Sequence, residues 1–254
     1  MPSTIAAQLY TLREFLKTPA DIAATLKKVK RLGFDAVQCS ALGPIEAKEL
    51  AGILHGEGLT CCVTHTSLDK LRDEPQKVIE EHALWGCRYT ALGGLGWKEM
   101  TADKWQAAVS DFNAVAARYA GSGVSLGYHN HSHELVKYNG TTAMDMLFNG
   151  LSSDVWFEID TYWITHGGGD PAAWIEKCAG RIPCVHLKDM GITAERVQQM
   201  REVGEGNLNW PGVLAACRKA GVEWHIIEQD NCNGADPFDC LKTSLENLRA
   251  MGVQ

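Results

Sequence analysis

Apolar and polar residues alternate with period two over residues 155–160 and again over 184–189. In the first run Val155, Phe157 and Ile159 fall on one side and Trp156, Glu158 and Asp160 on the other; in the second, Val185 and Leu187 oppose Cys184, His186 and Lys188. Between them lies a glycine turn at 167–169, then Asp170 and Pro171 as N-cap and first residue of a helix that runs to about Cys178. The unit reads as strand, helix, strand. A crossover of that length makes the strands parallel, and it brings Asp160 and His186, which share the inward phase, to the same carboxyl end.

The same alternation recurs along the whole chain. Strands are predicted over residues 4–12, 36–41, 60–66, 89–93, 124–131, 155–160, 184–189 and 223–229. Helices are predicted over 19–32, 45–56, 69–85, 101–120, 142–149, 171–178, 210–220 and 237–251. Trp105, Val109, Phe112 and Ala116 stand at helical spacing and read as core. Eight such units, with no linker, low-complexity tract or second composition, predict an α/β fold: a single (β/α)8 TIM barrel filling residues 1–254. A dinucleotide-binding sheet would need a glycine-rich turn after strand one and an acid about 20 residues on, and TLREFLKTP has neither.

Composition narrows the partners. A net charge of −7 with scattered lysines and arginines argues against nucleic acid. No run of about 18 apolar residues suggests a membrane span, and MPSTIAAQLYTLRE has no leader pattern, so the expected location is the cytoplasm. The nine cysteines are odd in number, include an adjacent pair and show no CxxC spacing, so they read as reduced and mostly buried small hydrophobes.

Polar residues at the strand ends carry the chemistry. In strand eight, WHIIEQD, Glu228 shares the inward phase of Ile226. In strand five, YHNHSHE, His129 and His131 face inward, Leu126 and Tyr128 outward, and Glu134 follows in the loop above. Asp160, His186, Glu228 and one of Glu134, His131 or His129 make a mixed oxygen and nitrogen cage. Such a set suits Mn²⁺ or Mg²⁺ and tolerates Co²⁺ or Zn²⁺. Each has a plainer competitor: Asp160 as a helix cap, His186 as a core imidazole, Glu228 as a buried ion-pair partner. Glu158 lies deeper and reads as a structural carboxylate, paired with Lys188. Gln8, Tyr10, Gln38 and His65 sit at strand ends and line a ligand pocket or simply pack its mouth. Trp163, Trp97 and Trp210 are stacking candidates, while His55, His82 and His225 read as structural or exposed.

Five motifs together, YHNHSHE at 128–134, EIDTYW at 158–163, HLKD at 186–189, VGEGNLNW at 203–210 and IIEQD at 226–230, resemble the xylose-isomerase-like sugar phosphate isomerase/epimerase superfamily over essentially the whole chain. The resemblance implies a divalent metal, usually manganese, held by Glu, Asp, His and Glu from strands five to eight. Asp160, His186 and Glu228 fall on matching positions. Sugar 3-epimerases of this superfamily carry a carboxylate where this chain has Tyr128 or His129, so Glu134, in the HNHxxE arrangement, is expected as the fourth ligand and His129 as a substrate contact. The implied activity is sugar isomerisation or epimerisation by proton abstraction next to a carbonyl through a metal-stabilised enediolate. Glu228 and Glu134 would be acid/base carboxylates, His131 or His133 a third proton carrier, and Lys188 the holder of a substrate oxygen. A lyase or dehydratase would use the same site for β-elimination on a keto-sugar, 3-keto-glycoside or keto-inositol. A metal-dependent endonuclease of the same fold would need a basic DNA-binding face, and a non-catalytic sugar-binding barrel is the remaining reading. The expected partner is a small sugar or keto-sugar, and the resemblance leaves room for a homo-oligomer.

Overall fold

The computed structural model describes residues 4–95 and 99–254. Eight strands close a barrel: β1 (Ile5–Gln8), β2 (Ala36–Cys39), β3 (Thr60–His65), β4 (Tyr89–Leu92), β5 (Ser125–His129), β6 (Trp156–Asp160), β7 (Cys184–Leu187) and β8 (Trp224–Ile227). Every neighbouring pair is parallel, and β8 closes on β1 with Ala6 opposite Ile226.

The helices follow from local chemistry. α1 (Pro19–Leu32) opens on a reciprocal capping box between Thr18 and Asp21, has Pro19 in its first turn and ends at Gly33, whose φ of 103° an L side chain rarely adopts. Helices α2 (Ala47–Glu57), α5 (Ala102–Ala117), α6 (Ala143–Gly150) and α9 (Trp210–Ala220) stand close to their predicted spans. So do α8 (Pro171–Lys177) and α10 (Pro237–Ala250), which start on Asp170 and Asp236 as caps, each followed by proline.

Strand one, the third helix and the stretch after β6 differ from expectation. Strand one ends at Gln8 rather than residue 12, because the Gln8 side chain accepts the Tyr10 amide and turns the chain into a 3₁₀ segment, Leu9–Phe15. The predicted third helix is two, α3 (Leu68–Asp73) and α4 (Pro75–Trp85), broken at Glu74, because Pro75 can begin a helix but not continue one. A short unpredicted helix, α7 (Thr161–His166), precedes α8.

The barrel interior below the site is small and apolar. Ala6, Ala36, Cys62, Val63, Ala91, Cys184 and Ile226 surround Trp156 in a cluster separate from the strand–helix core. The indole lies across Gly127, where an added Cβ would meet its ring at 2.3 Å. Only glycine on β5 leaves room for that ring, which hydrogen-bonds to the Ser125 carbonyl at 3.0 Å.

Beyond β7 the chain forms a ribbon, Asp189–Ile192 against Gln198–Arg201, and a loop back to α9. Buried Asp189 organises it: one carboxylate oxygen accepts the amides of Gly204 and Gly206 and the indole N–H of Trp210 at 2.6 Å, and the other accepts those of Met190 and Leu208. This joins the HLKD and VGEGNLNW motifs in one structural feature, and it places Trp210 away from the barrel mouth.

Candidate functional site

Strands β5 to β8 each bring inward-facing polar side chains to the carboxyl end of the barrel. Asp160 is the register partner of His186, His129 of Glu158, and His186 of Ile226, so the ends of four adjacent strands meet. His129, Asp160, His186 and Glu228 are buried, and each presents a nitrogen or carboxylate oxygen within 4.8 Å of the others. Among the described residues the structure thus brings together three of the four expected ligands, with His129 at the fourth corner.

Asp160 caps a helix, as anticipated, and also turns an oxygen toward the convergent group. Its Oδ1 accepts the Trp163 amide at 2.9 Å and caps α7, while Oδ2 points inward, 3.0 Å from Lys188 Nζ, 3.7 Å from His186 Nδ1 and 3.9 Å from His129 Nε2. Asn130, a residue with no assigned role in the sequence analysis, accepts the Asp160 amide at 3.0 Å and sets the end of β6. Glu228 Oε2 lies 2.9 Å from His186 Nδ1 and 2.6 Å from Lys188 Nζ. Lys188 also reaches Asp230 at 3.0 Å. Asp230 continues the alternating phase of Ile226 and Glu228, a signal present in the sequence.

Glu158 does not pair with Lys188 as expected; the ammonium is taken by the carboxylates nearer the mouth. Instead Glu158 forms a floor beneath the four-residue group. It accepts from Gln38 Nε2 at 3.1 and 3.3 Å and from His65 Nε2 at 2.7 Å, and it lies 3.2 Å from His186 Nε2 and 3.4 Å from His129 Nδ1. His65, His129, Glu158 and His186 form a second convergent set that shares both of its buried imidazoles with the first.

Glu134 stands outside both sets. It is fully buried, accepts the Tyr128 hydroxyl at 2.7 Å and the His131 amide at 2.9 Å, and lies 3.4 Å from His133 Nδ1. Above the group opens a cavity of about 550 Å³, to whose walls Tyr10, His65, His131, His133, Trp163 and Lys188 contribute. His131 packs against Trp163 with ring centroids 5.4 Å apart, and His133 Nε2 donates to the Leu95 carbonyl at 2.6 Å. Gln8 and Gln38 are buried below the cavity. Trp97 lies outside the described residues. His82 and His225 are buried hydrogen-bonded residues, to Thr64 and Thr4, and His55 is exposed on α2. All the cysteines except Cys232 are buried.

The electrostatics follow from burial and crowding. Burial alone would raise the Glu158 carboxyl, but the imidazoles of His186 and His65 carry it well below the usual range. Glu228 is likewise penalised by burial and then pulled well down by Lys188 and His186. Burial opposes the charge on Lys188, yet Asp160, Glu228 and Asp230 hold it well above its ordinary value. Burial would lower His186, whereas Glu158 and Glu228 raise it well above 6.5. His129 is pushed down to about 4 by burial and by the neighbouring His186, and His131 to about 2, chiefly by burial. Asp230 is raised to about 6 by burial and by Glu228.

This donor set fits a divalent cation. The three buried carboxylates of Glu158, Asp160 and Glu228 outnumber the Lys188 ammonium and the protonated His186 imidazole, leaving local negative charge that a cation would balance. His129 Nδ1, His186 Nδ1 and Asp160 Oδ2 are buried without an aligned hydrogen bond, the Lys188 contact being an ion pair that lacks hydrogen-bond geometry. Two imidazoles and two carboxylates are ligands that Mn²⁺, Zn²⁺ and related ions accept.

Comparison with known proteins places this architecture. The model of the xylose isomerase-like TIM barrel family matches residues 26–251. The rhizopine catabolism protein MocC of Rhizobium meliloti is 26% identical over 167 residues, covering 59% of this chain and 51% of that protein. The inosose dehydratase of Clostridium beijerinckii is 25% identical over 139 residues, covering 52% and 45%. The chain thus spans about half the length of the curated relatives it matches. A crystal structure of a sugar phosphate isomerase/epimerase from Parabacteroides distasonis superposes with a TM-score of 0.83 at 22% identity, over 100% of this chain and 96% of that one. Closed parallel barrel, strand-end site and family model agree: the chain belongs to the xylose isomerase-like TIM barrel family.

Proposed function

We propose that this protein is a divalent-metal-dependent enzyme that removes a proton next to a carbonyl in a sugar, keto-sugar or cyclic polyol. The observation that carries this reading is the convergence of His129, Asp160, His186 and Glu228 on the floor of a cavity walled by further imidazoles and by Trp163. Those four residues would hold the ion, Mn²⁺ by the chemistry of the set and the resemblance of the motifs, with Zn²⁺, Co²⁺ or Mg²⁺ as alternatives. When bound, the ion supplies a Lewis acid that polarises the carbonyl and makes the adjacent C–H acidic. In this reading an imidazole of the loop after β5, His133 or His131, would take the proton and Glu228 would hold or return it, since all three border the same 550 Å³ space. Lys188, fixed by three carboxylates, directs positive charge at a substrate oxygen. Trp163 and Tyr10 offer apolar faces to a sugar ring. Returning the proton to the same or the adjacent carbon gives epimerisation or isomerisation.

A second outcome is favoured by one feature of the cavity. Its β5 side presents His131 and His133, while Glu134 is sealed by Tyr128 and the His131 amide, so the carboxylates at the cavity among the described residues, Glu228 and Asp230, both come from the β8 side. One base and one acid suffice for elimination of a group β to the abstracted proton, and a curated relative is a dehydratase of inosose. Incubation with Mn²⁺ and a panel of ketoses, keto-inositols and 3-keto-glycosides in deuterated water separates the outcomes by mass spectrometry. A product of unchanged formula carrying solvent deuterium supports isomerisation or epimerisation, and a product lighter by the leaving group supports the lyase. No deuterium exchange and no conversion of any member would contradict the shared proton-abstraction step.

A further inference from the structure

The floor beneath the candidate ligands is built from groups with only one allowed hydrogen-bonding sense. The Glu158 carboxylate can only accept. Its two oxygens face the Gln38 side chain at 3.1 and 3.3 Å, so the Gln38 amide must point its N–H₂ down at Glu158. The amide oxygen is thereby turned toward His186, where it lies 2.6 Å from Nε2. An amide oxygen also only accepts, so His186 Nε2 must carry a hydrogen. The other nitrogen, Nδ1, then faces Asp160 and Glu228 at 3.7 and 2.9 Å, on the side of the convergent group. Every member of this chain, Glu158, Gln38 and His186, is fully buried, so water cannot supply an alternative partner.

We propose that Glu158, both through Gln38 and by its own 3.2 Å approach to Nε2, is a positioning device that keeps the hydrogen of His186 on Nε2 and presents Nδ1 as the lone pair available to a metal. The inference deepens the proposed function and rests on it for the role of Nδ1. Carboxylates and carbonyls commonly orient metal-bound imidazoles directly; here a carboxylate and an amide oxygen that the same carboxylate orients share the task. The short contacts of the floor also argue against a second ion there. His65 Nε2 and Glu158 Oε2 are 2.7 Å apart, hydrogen-bond distance, and Gln38 and Glu158 both pack against His186 Nε2, at 2.6 and 3.2 Å.

The test is ¹⁵N-histidine NMR on the whole protein, metal-free and loaded with Zn²⁺, for the parent, Glu158→Gln and Gln38→Ala, with Zn²⁺ affinity measured alongside. In the parent, His186 Nε2 is protonated in both states and Zn²⁺ moves the Nδ1 resonance. In Glu158→Gln the added side-chain amide removes the fixed sense of Gln38. The Nε2–H form should lose its dominance and Zn²⁺ affinity should fall by about 10- to 100-fold, with Gln38→Ala changing in the same direction. An unprotonated Nε2 in either parent state overturns the inference. So does a Glu158→Gln protein that melts earlier but keeps the parent's nitrogen shifts and Zn²⁺ affinity, or a parent that binds two ions of which His65→Ala loses one. A parent that binds no Zn²⁺ but keeps Nε2–H, lost in Glu158→Gln, supports the relay and sinks the metal reading, so the two failures are distinct.

Discussion

Replacing Asp189 by asparagine tests whether one carboxylate organises the loop that follows β7. The substitution preserves shape and removes one acceptor oxygen. Oδ2 accepts from Gly204, Gly206 and Trp210, and Oδ1 from Met190 and Leu208, at 2.6 to 3.2 Å. Whichever way the new amide turns, its N–H₂ faces at least two N–H donors. The better orientation keeps the three bonds at the Oδ2 position and forfeits the pair at Oδ1. Hydrogen bonds to charged groups are worth about 1.5–3 kcal/mol each, and orphaned buried donors add a penalty. The expected cost is therefore about 3–5 kcal/mol, allowing for non-additivity among neighbours. For a chain of this size a loss of 1 kcal/mol lowers Tm by about 2–4 °C, so the variant should melt roughly 6–20 °C below the parent. If the loop detaches before the barrel unfolds, the loss appears instead as faster amide exchange at Gly204 and Gly206. Calorimetry and hydrogen exchange together cover both routes. A variant with the parent's Tm and the parent's protection at both glycines would refute the reasoning.

Three further outcomes follow from the same structure. Gly127→Ala places a Cβ 2.3 Å from the Trp156 ring; overpacking of this kind costs about 1–3 kcal/mol, and an unchanged denaturation midpoint would show that the indole moves freely. His225 is held down to about 4 by burial and by Arg218, against about 6.5 in the unfolded chain. The unfolded state then binds the extra proton, and the contribution of neutral His225 is complete above pH 6.5 and lost as pH falls through that value toward 4. The loss is about 3 kcal/mol, and His225→Gln should flatten the urea-measured slope by about one proton in that window; equal slopes would contradict it. Mn²⁺ at about 100 times its Kd should stabilise the parent by about 2.7 kcal/mol, reversibly with a chelator, and should leave the Asp160→Ala melting temperature unmoved.

The elements that the sequence announced most sharply are those with punctuated ends. α1 is bounded by Thr18, Pro19 and Gly33, and α9 by Asn209, Pro211 and Gly221, and both match the predicted limits. Predicted strand ends run past the observed ones because alternation outlasts hydrogen bonding: Leu9 continues the apolar phase of Ile5 and Ala7 while lying in a 3₁₀ turn. α7, only six residues long, carries no full helical period to mark it, although the capping role considered for Asp160 points to it. In the site, period two alone carries Asp160, His186 and Glu228 to one point, and it carries Asp230 there as well. It says nothing about the loop after β5, where chain direction beyond His129 decides whether Glu134 or His129 faces the group. Nor does it resolve which carboxylate takes Lys188, since Glu158, Asp160 and Glu228 share one inward phase and differ only in depth.

The measurement that bears most directly on the central claim is metal content by elemental mass spectrometry after equilibration with Mn²⁺, for the parent beside His129→Ala, Asp160→Ala and Glu134→Ala. The account predicts one ion per chain in the parent, lost in His129→Ala and Asp160→Ala and retained in Glu134→Ala. A parent that holds no ion, or a Glu134→Ala protein that loses it while His129→Ala keeps it, would contradict the assignment.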